Sequence, residues 1–475
     1  MTTVAGDTTL LQTLERTLTS AVGAMSPTPT ERLVCITIPA PSVDPVTMFE
    51  AAAESDTRAY WDQPAEQFSL AAVGGAKEVT AHGEDRVQQL TDAWRQLIAD
   101  AVVDNAEGCP LAAPIALCGL AFQPNTDRSG VWQGYPDALL TVPQFLFITS
   151  KGSSWLVASV SISPNDDSAT AVRSTLDDLS ALLTRTSHLV PDQSPGVVTV
   201  AGEDDSAWWK ESIGAIEREI RSGALEKLVL AREVRVSTDE RLAWGAVLRR
   251  LKDRYAACTT FAFAREGSCF LGSTPERLVR LEGRAVQANC LAGSAARGAT
   301  EDEDRALGRA LLDDKKEQHE HALVVSALRE ALEPCCATLL IPEQPRLLAM
   351  PNVQHLYTPV EGMLRADLHV LDLVSQLHPS PAVGGVPQEL ARSLIEKYEP
   401  FDRGWYAGPV GWFDGRGDGE FVVAIRSALL QEQDARLYAG CGIVEGSDPE
   451  REYAESRLKL EPILWAMNGS DSYRE

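Results

Sequence analysis

The chain has 475 residues and a formal net charge of −25, with 44% hydrophobic and 23% charged residues. This composition is typical of a soluble globular protein that forms one large domain or two to three ordinary ones. The acidic excess and the lack of any basic run argue against a nucleic-acid-binding protein, which needs clustered Lys and Arg. We expect the charge to serve mainly solubility.

Nine cysteines are spread along the chain without a Cys-x-x-Cys pair. The first 25 residues have neither a basic start nor an apolar block, so we expect no secretory leader. No window approaches 18 uncharged apolar residues, which predicts that nothing spans a membrane. These features together predict a cytoplasmic protein with free, mostly buried thiols.

Residues 1–30 are predicted to form an N-terminal helix and a polar tail, because Leu10, Leu14, Leu18 and Val22 recur at helical spacing. Residues 31–200 are predicted to be a strand-rich portion with two helices. The helices are expected at 84–105 and 168–184, and the strands at 33–38, 68–73, 145–148 and 155–162.

A stretch rich in Pro, Gly and Asp at 193–205 is the best candidate boundary. A helix should follow, with Ser206 as its cap. Residues 301–333 are predicted to form one long helical region, and 414–419 a hairpin turn. Strands outnumber crossover helices, which favours an α+β fold with antiparallel sheets. Strands are expected at 227–236, 260–265, 268–273 and 277–287.

Two residues of this second half are candidate catalytic groups. Lys227 begins an apolar strand, so it either reaches outward to solvent or stays inside, where desolvation disfavours its charged form and suits a general base. Glu276 follows a turn made by Pro275. It is either an ordinary surface glutamate or, if buried, an acid whose raised pKa lets it donate a proton.

His319, Glu320 and His321 form a His-x-His pattern on the long helix. Residues i and i+2 of a helix diverge, and the zinc protease spacing is i, i+4, so this pattern argues against zinc. One glutamate with a second carboxylate and several waters suits magnesium better.

Glu455 and Lys459 are spaced i, i+4 on a helix expected to begin near Asp448. They form either a surface ion pair or a stripe facing a pocket, with Glu455 on a metal and Lys459 on a carboxylate. Gly440-Cys441-Gly442, placed between a strand and that helix, could bring backbone N–H groups close to an anion, as could 291–294. Neither segment is a dinucleotide or phosphate-loop motif, so no nucleotide is expected.

Together these segments resemble the chorismate-utilising enzymes, the family of isochorismate, salicylate, anthranilate and aminodeoxychorismate synthases. The resemblance covers residues 205–465, the expected catalytic region, and is looser before it. The stretches that carry it are 227–232, 273–278, 291–294, 319–321, 354–362, 378–385, 404–408, 423–427, 438–444 and 455–459.

Three positions indicate the branch of the family. Members that add water to the ring have a lysine where this chain has Lys227, and the anthranilate branch usually has a glutamine there. Aminodeoxychorismate synthases carry a lysine nucleophile where this chain has Ala292. The His-Glu-His form around Glu320 is more similar to isochorismate synthases than to salicylate synthases.

The resemblance implies an isomerase that uses magnesium and chorismate. Glu320 and Glu455 would hold the metal at the ring carboxylate. Lys227 would deprotonate a water that attacks C2, and Glu276 would protonate the departing C4 hydroxyl. The implied binding residues are Lys459, Gly293, Ser294 and Gly442 for the ring carboxylate, Tyr406, Arg426 and Gly440 for the enolpyruvyl carboxylate, and His355 close to the ring.

The implied fold is a large α/β sandwich with two central antiparallel sheets surrounded by helices. The product would feed menaquinone or siderophore biosynthesis, and the chain would be a monomer or a homodimer. The alternatives are a salicylate synthase, which adds elimination of pyruvate, an ammonia-using synthase of the anthranilate type, and a binding-only homologue.

Overall fold

The structure is a computed structural model, and it describes residues 2–25, 30–53, 57–125, 130–190, 198–200 and 205–469. The strands are β1 (Arg32–Pro39), β2 (Arg58–Gln63), β3 (Phe68–Ala81), β4 (Val102–Asp104), β5 (Ile115–Leu120), β6 (Ala138–Ser150), β7 (Ser153–Ile162), β8 (Val198–Val200), β9 (Lys227–Thr238), β10 (Thr259–Arg265), β11 (Ser268–Thr274), β12 (Arg277–Glu282), β13 (Ala285–Ala296), β14 (Cys336–Leu340), β15 (Arg346–Ala349), β16 (Val353–Leu364), β17 (Gly385–Val386), β18 (Pro409–Asp414), β19 (Gly419–Val423), β20 (Ser427–Gln431) and β21 (Asp434–Ile443).

The helices surround the strands, and short 3-10 turns occur at 64–66 and 130–132. The helices are α1 (Thr2–Gly23), α2 (Pro45–Ala51), α3 (Arg86–Ala99), α4 (Ser168–His188), α5 (Ser206–Arg221), α6 (Trp244–Arg254), α7 (Glu301–Asp313), α8 (Lys315–Leu332), α9 (Val370–Leu377), α10 (Gln388–Tyr398) and α11 (Pro449–Asn468). None of these helices is long and apolar enough to cross a bilayer.

The strands form one hydrogen-bonded network with two arms that diverge from the pair β3–β6. The first arm runs β3-β2-β10-β11-β20-β21-β9, and the second runs β6-β5-β18-β19-β12-β13-β16. Of the described strand pairs, only β1 with β4 is parallel. The predicted α+β class with antiparallel sheets is therefore confirmed, and the two expected sheets are continuous through β3 and β6.

Two of the crossings between the arms in the second half of the chain, from β11 to β12 and from β19 to β20, lie side by side. Glu276 lies in the first crossing, between β11 and β12, and Arg426 lies in the second, between β19 and β20. The crossings are joined by hydrogen bonds from Val423 N to Glu276 O (3.0 Å) and from Ser273 N to Arg426 O (3.1 Å). Both side chains are thereby held where the arms face each other.

Helix α1 packs onto the fold through Leu10, Leu14, Leu18 and Val22, which are all buried in a cluster with β1 and α4. Burying a leucine side chain contributes roughly 1.5–3 kcal/mol, so these contacts fasten the helix. The boundary expected at 193–205 falls largely outside the described residues, and the division into 31–200 and 205–465 stays a prediction.

Several predicted elements differ from the observed ones. The long helix expected at 301–333 is two helices, because Asp314 leaves the helical conformation and its side chain caps α8 at Lys316 N and Glu317 N. The strand expected at 277–287 is two strands that turn at Gly283, whose φ is +59°. Ser206 is not the cap of α5 but its first residue.

Candidate active site

A cavity lies between the two arms and beneath α8 and α11. It brings together residues far apart in sequence, including eleven of the twelve predicted site residues. These eleven are Glu276, Gly293, Ser294, Glu320, His355, Tyr406, Arg426, Gly440, Gly442, Glu455 and Lys459. The twelfth, Lys227, contacts Glu320 at the cavity wall.

Lys227 is the first residue of β9 and is fully buried. Its Nζ lies 2.9 Å from Glu320 Oε1, close enough for an ion pair, but the two groups are not aligned for a hydrogen bond. Nζ is therefore available for a hydrogen bond, whereas a buried polar atom normally already has a hydrogen-bond partner. A small polar molecule in the cavity would be such a partner.

Gly442 provides the space in which this ion pair fits. A Cβ atom at residue 442 would lie 2.1 Å from Glu320 Oε1 and 2.8 Å from Lys227 Cε. The glycine was expected to follow a strand, but it lies inside β21, near its end. A glycine at this position therefore lets two side chains approach the strand closely, and it also lets an anion approach the backbone.

Glu276 is buried at the first crossing and hydrogen-bonds through its backbone to Thr274 Oγ1 and Val423 N. Burial raises the pKa of its carboxyl group to about 7, although the positive charge of Lys227 opposes the shift. A carboxyl group with this pKa is protonated in about half of the molecules near neutral pH. It can therefore act as an acid, as the sequence predicted for a buried glutamate.

His355 and Arg426 meet in the centre of the cavity. Arg426 Nη2 lies 3.2 Å from His355 Nε2, and His355 Nδ1 lies 2.9 Å from Ser294 Oγ. Burial and then the charge of Arg426 lower the pKa of His355 to about 3. The imidazole is thus neutral, with Nε2 accepting from the guanidinium and the proton on Nδ1.

Arg426 and the residue that follows Tyr406 adopt an unusual backbone conformation. The φ of Arg426 is +51°, and that of Ala407, which follows Tyr406, is +60°. Side-chain-bearing residues in this left-handed region cost about 1 kcal/mol or more each. The Tyr406 ring stacks on Tyr438 with centroids 5.1 Å apart. The surrounding structure holds this strained backbone, and it places a buried cation and a buried phenol in the same cavity.

Lys459 lines the cavity and is held in place by two contacts. Its Nζ contacts Glu455 Oε1 at 2.7 Å and donates to Gly440 O at 2.9 Å. Burial lowers the pKa of Lys459, but the Glu455 carboxylate and Cys441 together raise it above its usual range. The pair is therefore charged, and the i, i+4 spacing forms a partly buried contact that lines the cavity and not a surface ion pair.

Two carboxylates that the sequence reading missed lie beside the predicted ones. Glu317 precedes Glu320 by one turn of α8, and Glu452 precedes Glu455 by one turn of α11. Both are buried, and Glu317 Oε2 accepts from Ser294 N at 3.2 Å. The repeated Glu-x-x-Glu spacing on two helices is the signal that could have found them, because i and i+3 share a helix face.

These residues fit a hard divalent cation. Carboxylate oxygens of Glu452 and Glu455 lie within 4.8 Å of each other, and the glycine at 442 makes the room that the Glu320 carboxylate needs. Carboxylate oxygens are the ligands that magnesium prefers. The neighbouring histidines diverge, since His319 is exposed whereas His321 is buried against Ala292 O and Thr358 Oγ1.

The family model of the chorismate binding enzymes matches residues 18–468. The chain belongs to this family. The residues that line its cavity all fall within the region 205–465.

Relatives of the chain include isochorismate synthase MenF of Bacillus subtilis (strain 168), 35% identical over 90% of this chain and 92% of that protein. The salicylate biosynthesis isochorismate synthase of Pseudomonas aeruginosa is 36% identical over 96% of this chain and 95% of that protein. The solved structure of MenF, the menaquinone-specific isochorismate synthase from Escherichia coli, superposes with a TM-score of 0.78 at 27% identity and covers 97% of this chain and 99% of that one. The predicted family, fold and likeness to isochorismate synthases are therefore confirmed.

Proposed function

We propose that this chorismate-binding enzyme is a magnesium-dependent isochorismate synthase that adds water at C2 of chorismate and removes the C4 hydroxyl. One observation carries the proposal. A buried lysine whose Nζ makes no hydrogen bond and a buried glutamate with a pKa of about 7 meet at the same cavity. Such a pair suits the two proton transfers of this isomerisation.

Lys227, in its neutral amine form, takes the proton of a water molecule as the oxygen of that water bonds to C2. The two ring double bonds each shift by one position, and the C4–O bond breaks. Glu276 gives its proton to the departing C4 oxygen, which leaves as water. The net change moves a hydroxyl from C4 to C2, and the two residues return to their starting states by exchanging one proton with solvent.

The remaining side chains bind and orient the substrate. Arg426, which can pair bidentately with a carboxylate, holds the enolpyruvyl carboxylate together with Tyr406 and the backbone at Gly440. Lys459 and the backbone at Gly293, Ser294 and Gly442 hold the ring carboxylate. His355, kept neutral, lies close to the ring without adding charge there.

Glu320 and Glu455 would hold magnesium on the ring carboxylate. The ion would supply positive charge that offsets the repulsion between a dicarboxylate and a protein of charge −25. All nine cysteines are free, which supports a cytoplasmic location. A monomer or homodimer stays the expectation for the assembly.

A product assay tests the proposal. Purified protein, chorismate and magnesium are incubated with and without chelator, and the products are separated by chromatography. We expect isochorismate to accumulate only without chelator. Salicylate with an equal amount of pyruvate would instead identify a salicylate synthase, and turnover only with ammonia would overturn the role of Lys227.

A further inference from the structure

Lys316 bridges the two carboxylates that the proposed magnesium site does not use directly. Its Nζ lies 3.1 Å from Glu317 Oε1 and 2.8 Å from Glu452 Oε1. Lys316 belongs to the first turn of α8 and Glu452 to the first turn of α11. The Lys316 ammonium group therefore contacts the first glutamate of each Glu-x-x-Glu pair. We call these two glutamates, Glu317 and Glu452, the outer carboxylates, and Glu320 and Glu455 the inner carboxylates.

The three lysines of this region are distributed unevenly over the four carboxylates. Glu320 is paired with Lys227 and Glu455 with Lys459, so each inner carboxylate has a cation of its own. The outer pair of Glu317 and Glu452 shares Lys316. Without Lys316, two buried carboxylates would face each other with no ion-pair partner among the described residues.

Four carboxylates on one face of two facing helices are enough to hold two divalent cations. Two-metal sites place their ions about 3.5–4 Å apart and bridge them with such oxygen ligands. A second ion would have access, because Lys316, Glu317, Glu452 and Glu455 line an outer cavity. What opposes a second ion is the ammonium group that already stands between the outer carboxylates.

We propose that the Lys316 ammonium takes the place of a second divalent cation between Glu317 and Glu452 and so limits the site to one metal ion. The inference rests on the proposed function, because it takes Glu320 and Glu455 as the place of the first ion. A lysine suits this role, since it is a compact point charge with three donors that two carboxylates can share.

Manganese titration followed by electron paramagnetic resonance tests this inference without measuring turnover. We expect the wild-type protein to bind one Mn²⁺ at the site, with the signal of an isolated ion. Lys316→Met should bind two, with the signal of an exchange-coupled pair, and Lys316→Arg should again bind one. Adding Glu452→Gln to Lys316→Met should return the count to one and abolish the coupled signal.

A coupled pair in the wild type, or a single uncoupled ion in a folded Lys316→Met, would overturn the inference. Lys316→Gln keeps hydrogen-bond donors for both carboxylates but loses the charge. It should also bind two ions, and it decides the question if Lys316→Met does not fold. A wild type that binds no Mn²⁺ would instead contradict the metal dependence in the proposed function. If the wild type binds one Mn²⁺ and the Lys316 variants do not bind two, only the inference about Lys316 is overturned.

Discussion

Lys227 Nζ lies 2.9 Å from Glu320 Oε1, so the proposed base is in direct contact with a proposed metal ligand in the protein interior. Lys227 is fully buried, and no other ion-pair partner is found for it in the part of the chain that the structure describes. A cation on Glu320 would compete with Lys227 for the carboxylate. The proposed metal site and the proposed base would therefore be coupled through Glu320.

Lys227→Ala should lose at least about a thousandfold in kcat, because the reaction then lacks the group that takes the proton from water. The KM for chorismate should change only a few-fold, since the carboxylate-binding residues are untouched. Steady-state kinetics of isochorismate formation check this. Lys77→Ala, which removes a lysine from a surface ion pair with Glu31, is the matched control and should react as the wild type does. A Lys227→Ala protein of normal activity would refute the assignment of the base.

Lys227→Met should bind manganese about tenfold more tightly than the wild type, because the competing positive charge 2.9 Å from the ligand oxygen is gone. Electron paramagnetic resonance of free Mn²⁺ measures the affinity without substrate. Glu320→Gln should move the affinity in the opposite direction. Equal affinities for all three proteins would show that Glu320 does not belong to the metal site.

The kcat/KM of the wild type should fall as the pH rises above about 7, where Glu276 loses the proton that it must donate. Glu276→Gln should lose this pH dependence together with at least about a hundredfold in rate, because an amide cannot give up a proton to the leaving hydroxyl. The pH profiles of both proteins decide the point. A wild-type profile that stays flat to pH 9 would place the acid elsewhere.

The same carboxyl group links stability to pH. Its pKa is about 7 in the folded protein and near 4.5 when unfolded, so between these values the folded state binds more protons and stability falls as pH rises. Glu276→Gln resembles the protonated form. It should match the wild type near pH 4 and exceed it at pH 8 by about 3 kcal/mol at most, as measured by denaturant unfolding.

Gly442→Ala should fold normally but lose at least about a hundredfold in activity. The new Cβ would lie 2.1 Å from Glu320 Oε1 and 2.8 Å from Lys227 Cε, and the ends of these side chains can move aside without unfolding the strand. Gly214→Ala is the control, because Gly214 lies inside α5 with its nearest neighbour 3.9 Å away. It should keep full activity and gain about 0.5–1 kcal/mol of stability.

The sequence predicted the strands and the site where local patterns and family motifs are strong. The apolar run of β9 and the hairpin at 414–419 needed only alternation and turn residues. The division between α7 and α8 was missed, because the helical pattern continues past Asp314, whose side chain caps α8. Asp314 and Glu317 have the Asp-x-x-Glu spacing typical of a helix N-terminus, so the sequence did contain a signal for this break.

The outer carboxylates were missed for a different reason. Glu317 and Glu452 are 135 positions apart and look like ordinary helix-surface acids until the first turns of α8 and α11 are brought together at Lys316. Lys316 likewise reads as a solvent-exposed lysine, although its Nζ lies 2.8 Å from Glu452 Oε1. Contacts between distant helices depend on packing, so the sequence alone could not reveal this part of the site.

The most direct test of the central claim is the source of the new oxygen. The protein converts chorismate in water enriched in ¹⁸O, and the isochorismate formed early in the reaction is examined by mass spectrometry. Attack by a water that Lys227 activates predicts one ¹⁸O atom, located in the C2 hydroxyl. Isochorismate without the label would mean that the C4 hydroxyl itself migrates, and it would contradict the account of Lys227 and Glu276 as base and acid.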